Sequence, residues 1–140
     1  MKKDTDNLKN QLSAAEDFDR FMKENRDSFN YVAVSEIFYR YLEESGMSKA
    51  DLAKNSGMSE VYLYQILSGK RSPSRNRVIA LCMGLALSLD ETESVLKTSG
   101  NASLYVRNRR DAAIIFALQN RWSVYDLNEK LFEIGEEALF

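Results

Sequence analysis

Histidine is absent from this chain of 140 residues, and cysteine and proline occur once each, as Cys82 and Pro73. Without an imidazole, and with a single thiol, Ser-His and Cys-His nucleophilic schemes and the usual zinc sites are excluded. A lone cysteine also rules out an intrachain disulfide framework and fits a reducing cytoplasm, the expected compartment. No apolar run approaches the roughly 18 residues that would span a bilayer, and the opening MKKDTDNLKNQ lacks the apolar stretch of a secretory signal. No membrane partner is expected. A glycine-rich phosphate cradle is missing too, and the acidic clusters fall on polar helix faces. We therefore assign no catalytic residue, no metal ligand and no cofactor, and expect no enzyme. Alternating β-branched segments are lacking, and the glycines sit near the ends of expected elements, apart from Gly84. The class is all-α.

What is present is a core and an uneven distribution of charge. The length suits one ordinary domain, or a small domain with an extension, and with 44% hydrophobic residues the chain can bury a real core. The formal net charge of -2 argues mildly against nucleic acid, whose binding rests on neutralising phosphates. Its distribution reverses that reading. Within 48–78, Lys49, Lys54, Lys70, Arg71, Arg75 and Arg77 face only Asp51 and Glu60. Within 107–122, Arg107, Arg109, Arg110 and Arg121 face only Asp111, whereas the segment from Ser123 onward is acidic. Binding follows where charge clusters rather than its sum.

Leu8, Leu12, Ala15, Phe18 and Met22 recur at helical spacing and predict one amphipathic helix over roughly 5–24. It is expected to pack on its own domain or to be partly disordered, with a partner or dimerisation helix as the alternative. A first core helix should run from about Ser35, its cap, to Glu44, with Ile37, Phe38, Tyr41 and Leu42 inward. Residues 48–73 carry the densest signal. Ser48 caps a short helix with Leu52 and Ala53 inward, and Asn55-Ser56-Gly57 ends it. Ser59 caps a second, with Leu63, Ile66 and Leu67 inward and Val61, Tyr62, Gln65 and Ser68 on the opposite arc. Gly69 stops it before Lys70-Arg71-Ser72-Pro73. Two short helices across a turn of three or four residues, often including glycine, describe a helix-turn-helix.

Ser74 caps the next helix, whose first turn is Arg75-Asn76-Arg77 and whose stripe is Val78, Leu81, Cys82 and Leu85. Cys82 reads as a small buried hydrophobe. Arginines in a first turn oppose the macrodipole, at about 0.3–1 kcal/mol each when exposed. A phosphate bound there would reverse the sign, so Arg75 and Arg77 are expected to contact phosphate. Ser88 and Glu91 form a capping box for a helix with Val95 and Leu96 inward. Asn108 caps another, with Asp111 at the box position, Ala112, Ile115, Phe116 and Gln119 along one side, and Ile114 and Leu118 widening the stripe. Ser123 caps the last, with Val124, Leu127, Leu131 and Ile134 inward. Phe116, Trp122 and Phe132 are expected in the core, with a pocket among them as the alternative. Arg107, Arg109 and Arg110 form a second basic patch. Ion pairs with the acidic final segment are the expectation for it, and phosphate of DNA or of a modified partner is the alternative.

Residues 35–87 resemble the phage-repressor-like (Cro/C1, or xenobiotic-response-element type) helix-turn-helix domain of bacterial regulators. The frame that carries the resemblance is Ser48, Leu52, Ala53, Gly57, Ser59, Ile66, Gly69, Lys70, Pro73 and Ser74. It implies a lambda-repressor-like five-helix DNA-binding bundle over 35–100, between an N-terminal helical arm (1–34) and a C-terminal helical hairpin (101–140). It further implies a recognition helix at about 59–68 in the major groove of double-stranded DNA, in a homodimer on two half-sites. Glu60, Val61, Tyr62 and Gln65 would lie nearest base edges. Gln65 suits adenine, Glu60 suits cytosine N4 and Val61 suits a thymine methyl. Lys49, Ser59, Tyr64, Lys70, Arg71 and Ser74 would join Arg75 and Arg77 on phosphates. Residues 59–68 depart from the family in lacking arginine and asparagine, in carrying Glu60, and in the size of Tyr62 and Tyr64. These departures sustain an alternative: an adaptor, antitoxin-like or kinase-linked, with a repurposed helix-turn-helix and a protein partner through 101–140.

Overall fold

The helices begin where short polar side chains take up the first free backbone N–H groups. A computed structural model describes residues 4–28 and 30–140, and for 27 and 30–33 the backbone alone. Its helices are α1 (Thr5–Ala14), α2 (Phe18–Glu24), a 3-10 turn (Arg26–Ser28), α3 (Asn30–Ser45), α4 (Lys49–Ser56), α5 (Glu60–Leu67), α6 (Arg75–Gly84), α7 (Leu89–Thr98), α8 (Arg109–Gln119) and α9 (Val124–Glu133). Every element among the described residues is helical. No helix among them is long and apolar enough to cross a membrane. Ser48, Ser59, Ser74, Asn108 and Ser123 each accept from the N–H three residues on, and Ser88 with Glu91 forms the full capping box.

Two expectations at the start of the chain are corrected. The single arm helix is two, because the Asp17 side chain accepts from the N–H groups of Asp19 and Arg20 and restarts the helix there. Of these two helices α1 buries no side chain and α2 buries Phe21 alone. Ser35 is not a cap. It lies buried inside α3, since Val34, Phe38 and Leu42 continue the inward stripe a turn earlier than expected.

One contiguous apolar cluster joins α3 to α9 and includes Leu139 beyond them. Its axis is α6, where Val78 to Gly84 are all buried, with α4, α7 and α9 packed around it. A helix apolar on every side belongs in the middle of a bundle. The close approach of α4 depends on Gly84, where an added Cβ would overlap the Ser56 hydroxyl and crowd Leu52. That hydroxyl is itself fully buried and has no hydrogen-bond partner among the described residues. Cys82 sits in the same helix, fully buried. Desolvation pushes its thiol from 9.0 to about 12, with the Thr92 hydrogen bond pulling it back and Glu91's charge adding to the rise.

The outer face of α8 also differs from expectation. Its buried side is Asp111, Ile114, Ala117 and Leu118, while Phe116 is 53% exposed and Gln119 faces solvent. The helix is rotated because Asp111 is drawn inward to Arg75. Trp122 is partly buried and meets Phe116 edge to face, and Phe132 is 85% exposed, so the two phenylalanines lie outside the core that was expected to hold them. Ile134 is only partly buried.

The α4–α6 seam and the buried thiol set two outcomes. Gly84→Ala should lower urea-melt stability by about 1–3 kcal/mol through overpacking, and Ser56→Ala in that background should recover part of the loss. Cys82 should resist iodoacetamide in the folded protein at pH 8 and react once denatured. Its contribution to stability is complete below pH 9.0. It should fall as pH rises toward about 12, because the unfolded chain ionises first.

Candidate nucleic-acid interface

The turn between α4 and α5 is closed by Gly57 in the left-handed region (φ 68), with its N–H and that of Met58 returned to the end of α4. Leu52 and Ala53 of α4 and Leu63, Ile66 and Leu67 of α5 go into the core. Helix period then turns Val61, 68% exposed, outward, with Gln65 one turn on and Glu60 exposed at the tip. Ser59 caps α5, its hydroxyl accepting from Tyr62 N–H at 3.1 Å.

Each flank of that outward arc carries a tyrosine between cations. On one side Tyr64, 54% exposed, has Lys49 Nζ and Lys70 Nζ each 5.9 Å from its ring centroid. Lys49 also lies 5.6 Å from the ring of Tyr39. On the other side Tyr62 lies between Arg71 at 4.9 Å and Arg77 at 5.2 Å. The chain reverses at Gly69, and the N–H groups of Lys70 and Arg71 both donate to the Gln65 carbonyl, at 2.9 and 3.1 Å. Arg71 Nε donates to Gln65 Oε1 at 2.9 Å. Pro73 is buried and Ser74 caps α6.

The arginines expected on phosphate divide. Arg75 is held internally: it pairs with Asp111 through both terminal nitrogens, at 3.2 and 3.1 Å, and donates to the carbonyls of Ala102 and Ser103. Arg77 donates to the Gly57 carbonyl at 3.3 Å and lies over both Tyr62 and Phe140. Of the second basic patch, Arg109 pairs with Glu136 at 3.0 Å. Arg110 donates to the carbonyls of Glu137 and Ala138 and to Asn76. Arg107 is exposed and does not share those bonds.

Three neighbours of the site escaped the sequence. Phe140 lies on Gly57, where a Cβ would overlap its ring, and meets Tyr125 edge to face at 6.1 Å. The Tyr125 hydroxyl donates to the Lys54 carbonyl at 2.6 Å. Tyr39 shares Lys49 with Tyr64. The exposed-face position of Tyr125 and the apolar pair Leu139-Phe140 were the available signals, but nothing in the pattern says where such a pair lands.

Residues 38–91 match the family model described as Helix-turn-helix. This segment is a helix-turn-helix of the Cro/C1 type. No curated protein and no solved structure matches the chain. The helix-turn-helix is a domain of DNA-binding regulators, and here its second helix presents an outward arc between two basic flanks.

The two arginine environments predict different mutational costs. Asp111→Ala strands a largely covered guanidinium and should cost about 2–4 kcal/mol in a urea melt. Arg109→Ala removes a pair whose cation is mostly exposed and should cost no more than about 1 kcal/mol.

Proposed function

We propose that the protein is a sequence-specific DNA-binding transcriptional regulator that inserts α5 into the major groove and binds as a homodimer on two half-sites about one DNA turn apart. The observation that carries this reading is the pair of cation–tyrosine flanks along α5. The major groove, about 12 Å wide, admits a helix, and both of its walls are phosphate. Lys49 and Lys70 beside Tyr64 suit one wall, and Arg71 and Arg77 beside Tyr62 suit the other. Val61, Gln65 and Glu60 lie between, where base edges would be. Ser59 and Ser74 stand at the starts of α5 and α6, close to the phosphates. Arg75 supports the fold through Asp111 rather than facing the DNA.

Selection of bound fragments from a pooled duplex library tests this directly. Purified protein should enrich a palindromic motif, and Lys70→Glu/Arg71→Glu should abolish the enrichment while thermal unfolding changes little. Each phosphate-contacting cation removed should flatten the slope of log K against log salt by about 1. A folded protein that enriches nothing at low salt would sink the proposal.

One observation favours a second reading, a protein partner through 101–140: Phe132 is 85% exposed and Phe116 53%. Reversing Arg109 and Arg110 would disturb the 136–138 backbone they hold, so Phe132→Ser is the cleaner probe. A partner recovered with the intact protein and lost with that variant would support this use of the hairpin.

A further inference from the structure

The recognition stretch 59–68 contains no arginine, the side chain that most often reads guanine. The structure supplies one from outside the helix. Gly69 turns the chain so that Arg71 N–H donates to the Gln65 carbonyl at 3.1 Å, which holds the Arg71 backbone at the C-terminal end of α5, within reach of the Gln65 side chain. The side chain is then fixed twice more, by Nε on Gln65 Oε1 at 2.9 Å and by the guanidinium stacked 4.9 Å from the Tyr62 centroid. None of these three contacts is made by a hydrogen of the two terminal nitrogens, which remain donors on an exposed side chain.

The same bond settles the orientation of Gln65. Arginine can only donate, so the amide oxygen must face Arg71 and the amide nitrogen must face away. What the arc offers to a base edge is therefore a row of donors from Arg71 and Gln65. In the major groove guanine presents two adjacent acceptors, O6 and N7, whereas adenine pairs its N7 with a donor at N6. Gln65 would need its oxygen for that adenine donor, and Arg71 already occupies one of its lone pairs.

We propose that Arg71 is a base-reading residue that selects guanine, with Gln65 as the residue that positions it. This assignment rests on the DNA-binding reading above and replaces the phosphate contact given there to Arg71, leaving Lys49, Lys70 and Arg77 for the groove walls. Its test is the pooled-duplex selection run with wild type, Arg71→Ala, Arg71→Lys, Gln65→Ala and Lys70→Ala, each checked for folding by thermal unfolding. Wild type should enrich a motif with a guanine at one position of each half-site. Arg71→Ala should lower discrimination at that position by roughly tenfold to a hundredfold, leaving the other positions intact. Arg71→Lys keeps the charge but not the planar fork, and should fail to restore the guanine preference. Gln65→Ala should weaken the same position by less, and Lys70→Ala should lower affinity for every sequence alike. If Arg71→Lys retains the full motif, or Arg71→Ala weakens all sequences equally, Arg71 is a phosphate contact and the assignment is wrong. An unchanged motif with Gln65→Ala overturns the positioning role. No enrichment by folded wild type overturns the DNA-binding reading, and this assignment with it.

Discussion

The burial of α6 on all sides is the constraint on which the rest of the structure depends. Val78 to Gly84 have no solvent face, so α4, α7 and α9 must each find a place around the helix. Gly84 decides how near α4 comes, because the Ser56 hydroxyl fills the space a side chain would need. The approach is close enough to bury that hydroxyl without a hydrogen-bond partner among the described residues, a penalty of about 1–3 kcal/mol that the surrounding apolar packing must offset. Fixing the last turn of α4 fixes Gly57 in turn, and with it the angle at which α5 leaves. The outward arc of α5 is thus set by packing at the far side of α4.

The other end of α6 poses an electrostatic problem. Arg75 and Arg77 occupy a first turn where the macrodipole disfavours cations. The chain answers differently for each. Arg75 turns toward α8 and is neutralised by Asp111, which also accepts from Tyr105 N–H at 3.0 Å and so ties down the connector before α8. Arg77 turns toward the helix-turn-helix and meets a carbonyl and two aromatic rings. One arginine is therefore paired with an acid, and the other, half-buried, keeps its charge unneutralised by any acid among the described residues.

Much of the fold was legible because caps and periodicity are local. Serine or asparagine before an apolar stripe located the starts of α4 to α9, and the inward residues of α4, α5 and α7 followed from spacing. The failures came from long-range contacts. Asp111 reads as a box residue on a polar face until Arg75, 36 residues away, draws it inward and rotates α8 so that Phe116 points out. Ser35 reads as a cap until the buried stripe of α3 is seen to begin earlier. At the candidate interface the residue types were visible, but their partners were not. Nothing in the order of residues reveals that Phe140 covers Gly57 or that Arg71 folds back onto Gln65.

The large tyrosines, which depart from the family pattern, have a physical role in this arrangement. A cation can be oriented by a carboxylate or by the face of an aromatic ring. A carboxylate would cancel the charge that a phosphate needs to meet, whereas a ring attracts the cation through its quadrupole, at about 0.5–1 kcal/mol when exposed, and adds no negative charge. Around α5, Lys49, Lys70, Arg71 and Arg77 all lie over rings, and none of them forms an ion pair among the described residues. Where charge is instead neutralised, at Arg75 and Arg109, the residue holds α8 and the segment after α9 in place. The division between ring-held and acid-held cations thus separates the surface that can still attract an anion from the framework that positions it. On a chain with net charge -2, that division leaves unneutralised positive charge beside α5, which the proposed contact with a phosphate backbone requires.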